Sequence, residues 1–162
     1  LSLELVEAGL AHVFVIPPEA FDMQPLLDAQ ARARAARKGI WGTEHYQGAA
    51  HVTSLHANAE GDDTKNVNGE SFRMVNLQAE PLNVIGWTVS NAAGRSFVLP
   101  DLTIPPGHTV QIRSGHGDPQ RDPAKQLVIH LGSDVPVWDD HADRLTVYDR
   151  YERIVDTRAH GH

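Results

Sequence analysis

Between Ile85 and Asp143 the chain alternates apolar and polar residues in short bursts, and turn residues separate almost every pair of them. In Ile85-Gly86-Trp87-Thr88-Val89, the side chains of Ile85, Trp87 and Val89 fall on one side of an extended segment. Gly86, Thr88 and Ser90 fall on the other. A period of two marks a strand with one buried face. The same reading gives strands around Phe72 and Met74, Val110 and Ile112, Leu127, Ile129 and Leu131, and Leu145 and Val147. Short strands punctuated in this way predict a mainly β chain folded as a sandwich.

Composition excludes several roles. Fourteen Lys and Arg against 21 Asp and Glu leave a formal charge of −7, which argues against general binding of a phosphate backbone. Ten histidines would cancel much of that charge at mildly acidic pH. Without cysteine there is neither a disulfide nor a thiolate zinc site. No apolar run reaches the roughly 18 residues that a spanning helix needs. The chain opens Leu1-Ser2-Leu3, with no initiator Met and no signal-peptide pattern, and reads as an excised or processed piece.

The first forty residues follow a helical period. Leu1 to Leu10 predicts a short helix, with Gly9 placed to end it in the left-handed conformation. His12 to Ile16 reads as a brief strand stopped by Pro17-Pro18. A longer helix starts at Asp22 as N-cap, with Pro25 in its first turn and Met23, Leu26, Leu27, Ala29, Ala33 and Ala36 as its apolar stripe. Asp28 and Arg32 have the spacing of an i,i+4 ion pair, and Gly39 is the expected stop.

Three pieces of this stretch resemble the C-terminal part of the staphylococcal-nuclease-like (thermonuclease) family. They are Leu5-Val6-Glu7-Ala8-Gly9-Leu10-Ala11-His12-Val13, Ala29-Gln30-Ala31-Arg32-Ala33-Arg34 and Lys38-Gly39-Ile40-Trp41. The resemblance implies a helix–strand–helix segment that packs on a five-stranded OB-type barrel. The family's catalytic arginines and calcium-binding carboxylates lie upstream of it. No residue here matches them, so no catalytic residue and no cofactor is assigned to this fragment, and calcium is a possibility for the parent protein.

Gly42 to Ala50 reads as a linker across which the charge balance shifts. Residues 1–42 hold four basic and five acidic side chains, residues 43–162 ten and sixteen. The stretch 43–67 is therefore expected to be linker with a possible first strand, and Gly61 to Asn66 a solvated loop. Asn68-Gly69-Glu70-Ser71-Phe72-Arg73-Met74-Val75-Asn76 resembles the opening strand of a lamin-tail domain. Gly86-Trp87-Thr88-Val89 matches that family's hallmark strand. Leu102-Thr103-Ile104-Pro105-Pro106-Gly107 matches its apolar element ending in Pro-Gly. Trp138 to Asp143 fits its Trp-Asn-Asn-x-Gly-Asp, with Asp139, Asp140 and Ala142 as departures. The resemblance implies a compact immunoglobulin-like β-sandwich over residues 68–158, preceded by the helix–strand–helix segment and followed by a free tail at 159–162.

Candidate sites are few. Trp87 and Trp138 read as core aromatics, with ligand stacking as the alternative. Asp139, Asp140 and Asp143 can serve a calcium ion, or can cap the amides of their own turn. Ser114 to Pro123 mixes His, Asp and Gly without a nucleotide-loop pattern. His56, His108 and His130 sit on separate predicted strands. No spacing places a Ser or Thr nucleophile beside a His and an acid.

These residues point to a non-catalytic accessory binding module of a nuclease-like parent, secreted or at the cell surface by family resemblance. Two alternatives stand beside it: a part of an active calcium-dependent nuclease whose barrel lies upstream of Leu1, and a structural module that self-associates through a sheet edge. Nucleic acid is expected only through the parent. The apolar stripes of residues 1–42 need cover. Because Thr88, Ser90, Gln111 and Arg113 make the outward faces of the strands polar, a second copy of the chain is the expected partner.

Overall fold

The computed structural model describes residues 2–15, 22–57, 65–122 and 126–161. The expected strand stop at Ile16-Pro17-Pro18, most of the solvated loop at 61–64, Pro123 and His162 lie outside them.

The chain is mainly β. After helices α1 (Ser2–Glu7) and α2 (Gln24–Ala35), short 3-10 turns at Gly39–Gly42 and Glu44–Tyr46 lead into the strands. These are β1 (Ala50–His56), β2 (Ser71–Asn76), β3 (Leu82–Asn83), β4 (Thr88–Ser90), β5 (Ser96–Val98), β6 (Thr103–Ile104), β7 (Thr109–Arg113), β8 (Gln120–Arg121), β9 (Leu127–His130), β10 (Ala142–Tyr148) and β11 (Ile154–Gly161). A five-stranded sheet runs β1-β2-β7-β9-β8, a four-stranded sheet runs β11-β10-β4-β5, and β3 pairs with β6. All pairings are antiparallel except β7 with β9.

One apolar core lies between the two larger sheets. Phe72, Met74, Val110, Ile112 and Ile129 from the first meet Val89, Leu145, Val147 and Val155 from the second, and Trp87 and Trp138 belong to the same cluster. Phe72 and Trp138 meet edge-on at 6.1 Å. The predicted alternation therefore holds for most strands. It fails at Ile85, which was placed on the buried side and is 50% exposed. Val84 to Trp87 is a turn closed by Trp87 N–H donating to Val84 O, and Gly86 takes φ +77° there. Only Gly adopts that conformation cheaply, so the strand starts at Thr88, three residues later than the period suggests.

Buried polar groups pin the loops to this core. The Glu70 carboxylate, with no exposed surface, accepts the amides of Val137 at 2.7 Å and Trp138 at 3.2 Å. Replacing Glu70 with Ala is expected to cost about 2–3 kcal/mol, because it strands buried donors. Glu70→Gln, which keeps one acceptor, should cost less. Denaturant midpoints of the two variants check this ordering.

The amino-terminal segment is not a separate piece. Val13, Val15 and Leu27 pack around Gly107, where an added Cβ would lie 2.9 Å from Val15 and 3.1 Å from Val13. Ala33 and Trp41 form a second cluster with Val75 and Leu77, outward-facing apolar residues of β2 and the residue after it. Thus β2 is covered on both faces, one by the core and the other by the segment. Cover expected from a second copy is in this part supplied by the chain itself. Leu3 and Leu10 of the stripes stay bare at 41% and 64% exposure, as do Leu5 at 39% and Phe14 at 46% beside them.

Several local expectations shift. Gly9 does end α1, with φ +73°. In α2 the capping residue is Met23, although Gln24 N–H still donates to Asp22 Oδ1 at 3.0 Å. The helix ends at Ala35, and both Arg37, φ 52°, and the expected Gly39, φ 54°, are left-handed after it. Asp28 accepts from Gln24 Nε2, and Arg32 approaches Glu7 at 3.8 Å in place of Asp28. The stretch 43–67 carries β1, a full strand of the larger sheet. The expected tail at 159–162 continues β11 through Gly161, paired with Ala142.

Candidate functional site at the seam

Backbone contact closes the amino-terminal segment on itself. Ile40 N–H donates to Gly9 O at 2.8 Å. A Cβ on Gly9 would sit 2.3 Å from Lys38 O, and one on Gly39 would sit 2.2 Å from Gly9 O. Both positions therefore need glycine, which explains why two glycines occur thirty residues apart. The resulting turn drives Trp41 into the seam, where it is 1% exposed.

Gln30 then ties the segment to the sheet. It sits in the middle of α2 at 1% exposure, donates Nε2–H to Leu77 O at 2.9 Å, and accepts Val13 N–H. The apolar-stripe reading missed it, since a polar residue on a helix reads as solvated. Its sign in the sequence was its place between Ala29 and Ala33 on the buried side.

Around Trp41 the seam is aromatic and histidine-rich. Tyr46 meets Trp41 edge-on at 5.5 Å and stacks on His51 at 4.2 Å. His12 lies 6.0 Å from Tyr46 and 6.1 Å from His51, between ring centres. Burial lowers the His12 pKa and keeps the ring neutral, against a raising effect of its bond to Val13 O. Burial and the Asp156 charge raise that of Tyr46.

Asp156, on β11, is the polar centre. Its side chain is 1% exposed and lies 2.9 Å from both His45 Nδ1 and His51 Nδ1, and 2.7 Å from Val52 N–H. His51 Nδ1 also faces His45 O at 3.0 Å, so that nitrogen carries the proton. Burial alone would raise the Asp156 pKa, but the donors from His51, Val52 and His45 together hold it below the ordinary value. Chemically this is a tie. One carboxylate joins β1, β11 and the 43–49 stretch, and it occupies the free amide of an edge strand.

The expected site residues lie elsewhere. Trp87 and Trp138 are 5% and 2% exposed in the main core. Asp143 accepts from Ala92 and Arg144 amides through Oδ1 and from Asp139 N–H through Oδ2. Asp139 Oδ1 accepts from His141 and Ala142 amides, which hold its carboxyl below the usual range, and Asp140 is exposed. Among the described residues no group of three or more His, Asp or Glu is arranged to hold a metal ion. His56 and His130 end one row across β1-β2-β7-β9, through Ser71 and Arg113. Three strand spacings put them about 14 Å apart. His108 lies at the opposite end of that sheet. In the 114–123 loop, His116 pairs with Asp134 at 2.6 Å, both exposed, and the His130 ring fills the space beside Gly117. His160 Nε2 lies 2.6 Å from Asp139 O, so it belongs to the β10–β11 structure.

The sequence profile of one protein family, described as staphylococcal nuclease homologue, matches residues 1–43. No curated protein matches the chain. The matched stretch is the segment that α1, α2 and Trp41 build, and it contains the seam residues His12, Gln30 and Trp41.

Proposed function

We propose that this chain is an accessory interaction module of a nuclease-like parent and carries no catalytic group of its own. The β unit is read as an immunoglobulin-like sandwich of the lamin-tail type. The segment at 1–43 is read as the carboxy-terminal part of the parent's nuclease domain. One observation carries the reading: the segment similar to the nuclease family is bound to the β unit through Gln30 and Trp41, yet keeps a bare apolar face. That face includes a groove of about 400 Å3 lined by Leu5, Val6, Val13, Phe14, Met23 and Leu26. A nuclease barrel seated there would be held rigidly against the sandwich, which would then position the nuclease against whatever the sandwich binds.

The test is fragment complementation. A nuclease barrel lacking its own carboxy-terminal helices is mixed with the chain, and plasmid nicking is followed with calcium present. Neither piece alone should turn over, and the mixture should. Leu10→Asp, at a position 64% exposed, should abolish the gain while leaving the chain folded. Calcium-dependent turnover by the highly purified chain alone would refute the reading. So would a tight dimer that buries Leu5, Leu10 and Phe14, because the face would then belong to a second copy.

A further inference from the structure

A second pocket, of about 410 Å3, opens on the seam between α2 and the 77–80 loop. Arg34, Arg37, Trp41, Gln78 and Glu80 line it, with Ala31 and Ala35 on the helix side. Three features there are unusual together. The Trp41 indole N–H is buried and meets no acceptor. Arg34 donates to Gly48 O at 2.8 Å, and its guanidinium lies 6.0 Å from the Trp41 ring centre. Burial lowers the Arg34 pKa, and Glu80 acts from a distance in the opposite sense. Among the described residues neither Arg34 nor Arg37 has a carboxylate within ion-pair distance.

Arg34 is half-buried with a backbone carbonyl as its hydrogen-bond partner, Arg37 is exposed at the pocket's rim, and the buried Trp41 indole N–H beside them is an unsatisfied donor, which is costly. The arginine fork matches an oxyanion with two parallel bonds, and an arginine held by a backbone carbonyl loses little freedom in making them.

We propose that this pocket is a binding site for a small oxyanion, a phosphate or carboxylate group, held by Arg34 and Arg37 beside the Trp41 indole. Glu80 sets the affinity from the opposite wall by repelling the charge. Because the pocket is built from α2 on one side and the β2–β3 loop on the other, an occupied site ties the nuclease-like segment more firmly to the β unit. The site is independent of the barrel-docking face, and neither stands or falls with the other.

The experiment is a nitrogen-15 NMR titration of the full chain, read at the three indole N–H resonances. Inorganic phosphate and acetate form separate arms, and sodium chloride at matched ionic strength is the reference. Assignment uses Trp41→Phe, or Trp87→Phe and Trp138→Phe by elimination should the first not fold. The Trp41 resonance should move saturably in at least one oxyanion arm and not with chloride, and the arm that binds tighter identifies the group. Arg37→Gln, at an exposed position, should weaken binding about fivefold or more, and Glu80→Gln should tighten it about threefold. Shifts no larger than those from chloride in both arms would overturn the proposal. Equal affinities in the wild type, Arg37→Gln and Glu80→Gln would overturn it as well.

Discussion

Trp41→Ala should lower the stability of the chain by about 3–5 kcal/mol, the range for truncating a large buried aromatic. Trp41 is 1% exposed and packs with Ala33, Val75 and Leu77, so its removal opens a void shared by α2 and β2. A void too large to collapse and too apolar for water leaves its walls without partners. The loss should be uneven. Gln30, Arg34 and the packing around Gly107 remain, but the largest side chain of the seam is gone, so residues 2–41 should become cleavable by protease before the β unit unfolds. Leu10→Ser serves as the control, since a side chain 64% exposed should change stability by no more than about 0.5 kcal/mol. Limited proteolysis followed by mass spectrometry decides it. A variant that unfolds in one step with its first forty residues fully protected would mean the seam is held by something other than Trp41.

Asp156→Ala should cost about 3–5 kcal/mol at neutral pH, as removing one partner of a buried charged network does. The variant leaves His45 and His51 without their shared acceptor and exposes the Val52 amide at the sheet edge. The pH dependence has two arms of definite sign. The Asp156 carboxyl is held below 3.8, so its contribution is full above that pH and is lost as pH falls through the folded value. His12 is held below 6.5 by burial, so the folded chain prefers the neutral ring. Its contribution is full above pH 6.5 and is lost as pH falls through the lowered folded value. Stability should therefore fall in two stages on acidification. His12→Gln should shrink the first, in which His130 also takes part, and Asp156→Asn should shrink the second, in which Asp139 and Asp149 also take part. Denaturant midpoints between pH 3 and pH 7 measure both arms, and an unchanged lower arm in Asp156→Asn would contradict the assignment.

The rule that misled about cover was the polarity of outward-facing residues. Thr88, Ser90, Gln111 and Arg113 are indeed polar, and none of them belongs to the cluster around Trp41. Val75 and Leu77 do. Four consecutive buried residues, Met74 to Leu77, break the period of two, and that break was the available sign that β2 has two covered faces. The metal reading of the acidic turn rested on residue type. The hydrogen bonds show the capping alternative at Asp139 and Asp143, because Asp side chains two to four residues from free amides satisfy them at little entropic cost.

The amino-acid sequence by itself determined the elements whose causes are local. The strands with period two, the left-handed stop at Gly9, the β10–β11 hairpin and the order of the two amino-terminal helices all depend on residues a few positions apart, whereas the stretch expected as a strand between those helices shows, among its described residues, a single bridge from Val15 to His108. Tertiary structure alone decided what those elements meet. Asp156 joins residues 104 and 111 positions away, Gln30 reaches Leu77 across 47, and Trp41 meets Arg34 and the 77–80 loop in one pocket. Alternation states that a strand has two faces and which residues lie on each. It carries no information on which distant surface will exclude water from the second one, and that choice is made by shape and burial when the whole chain packs.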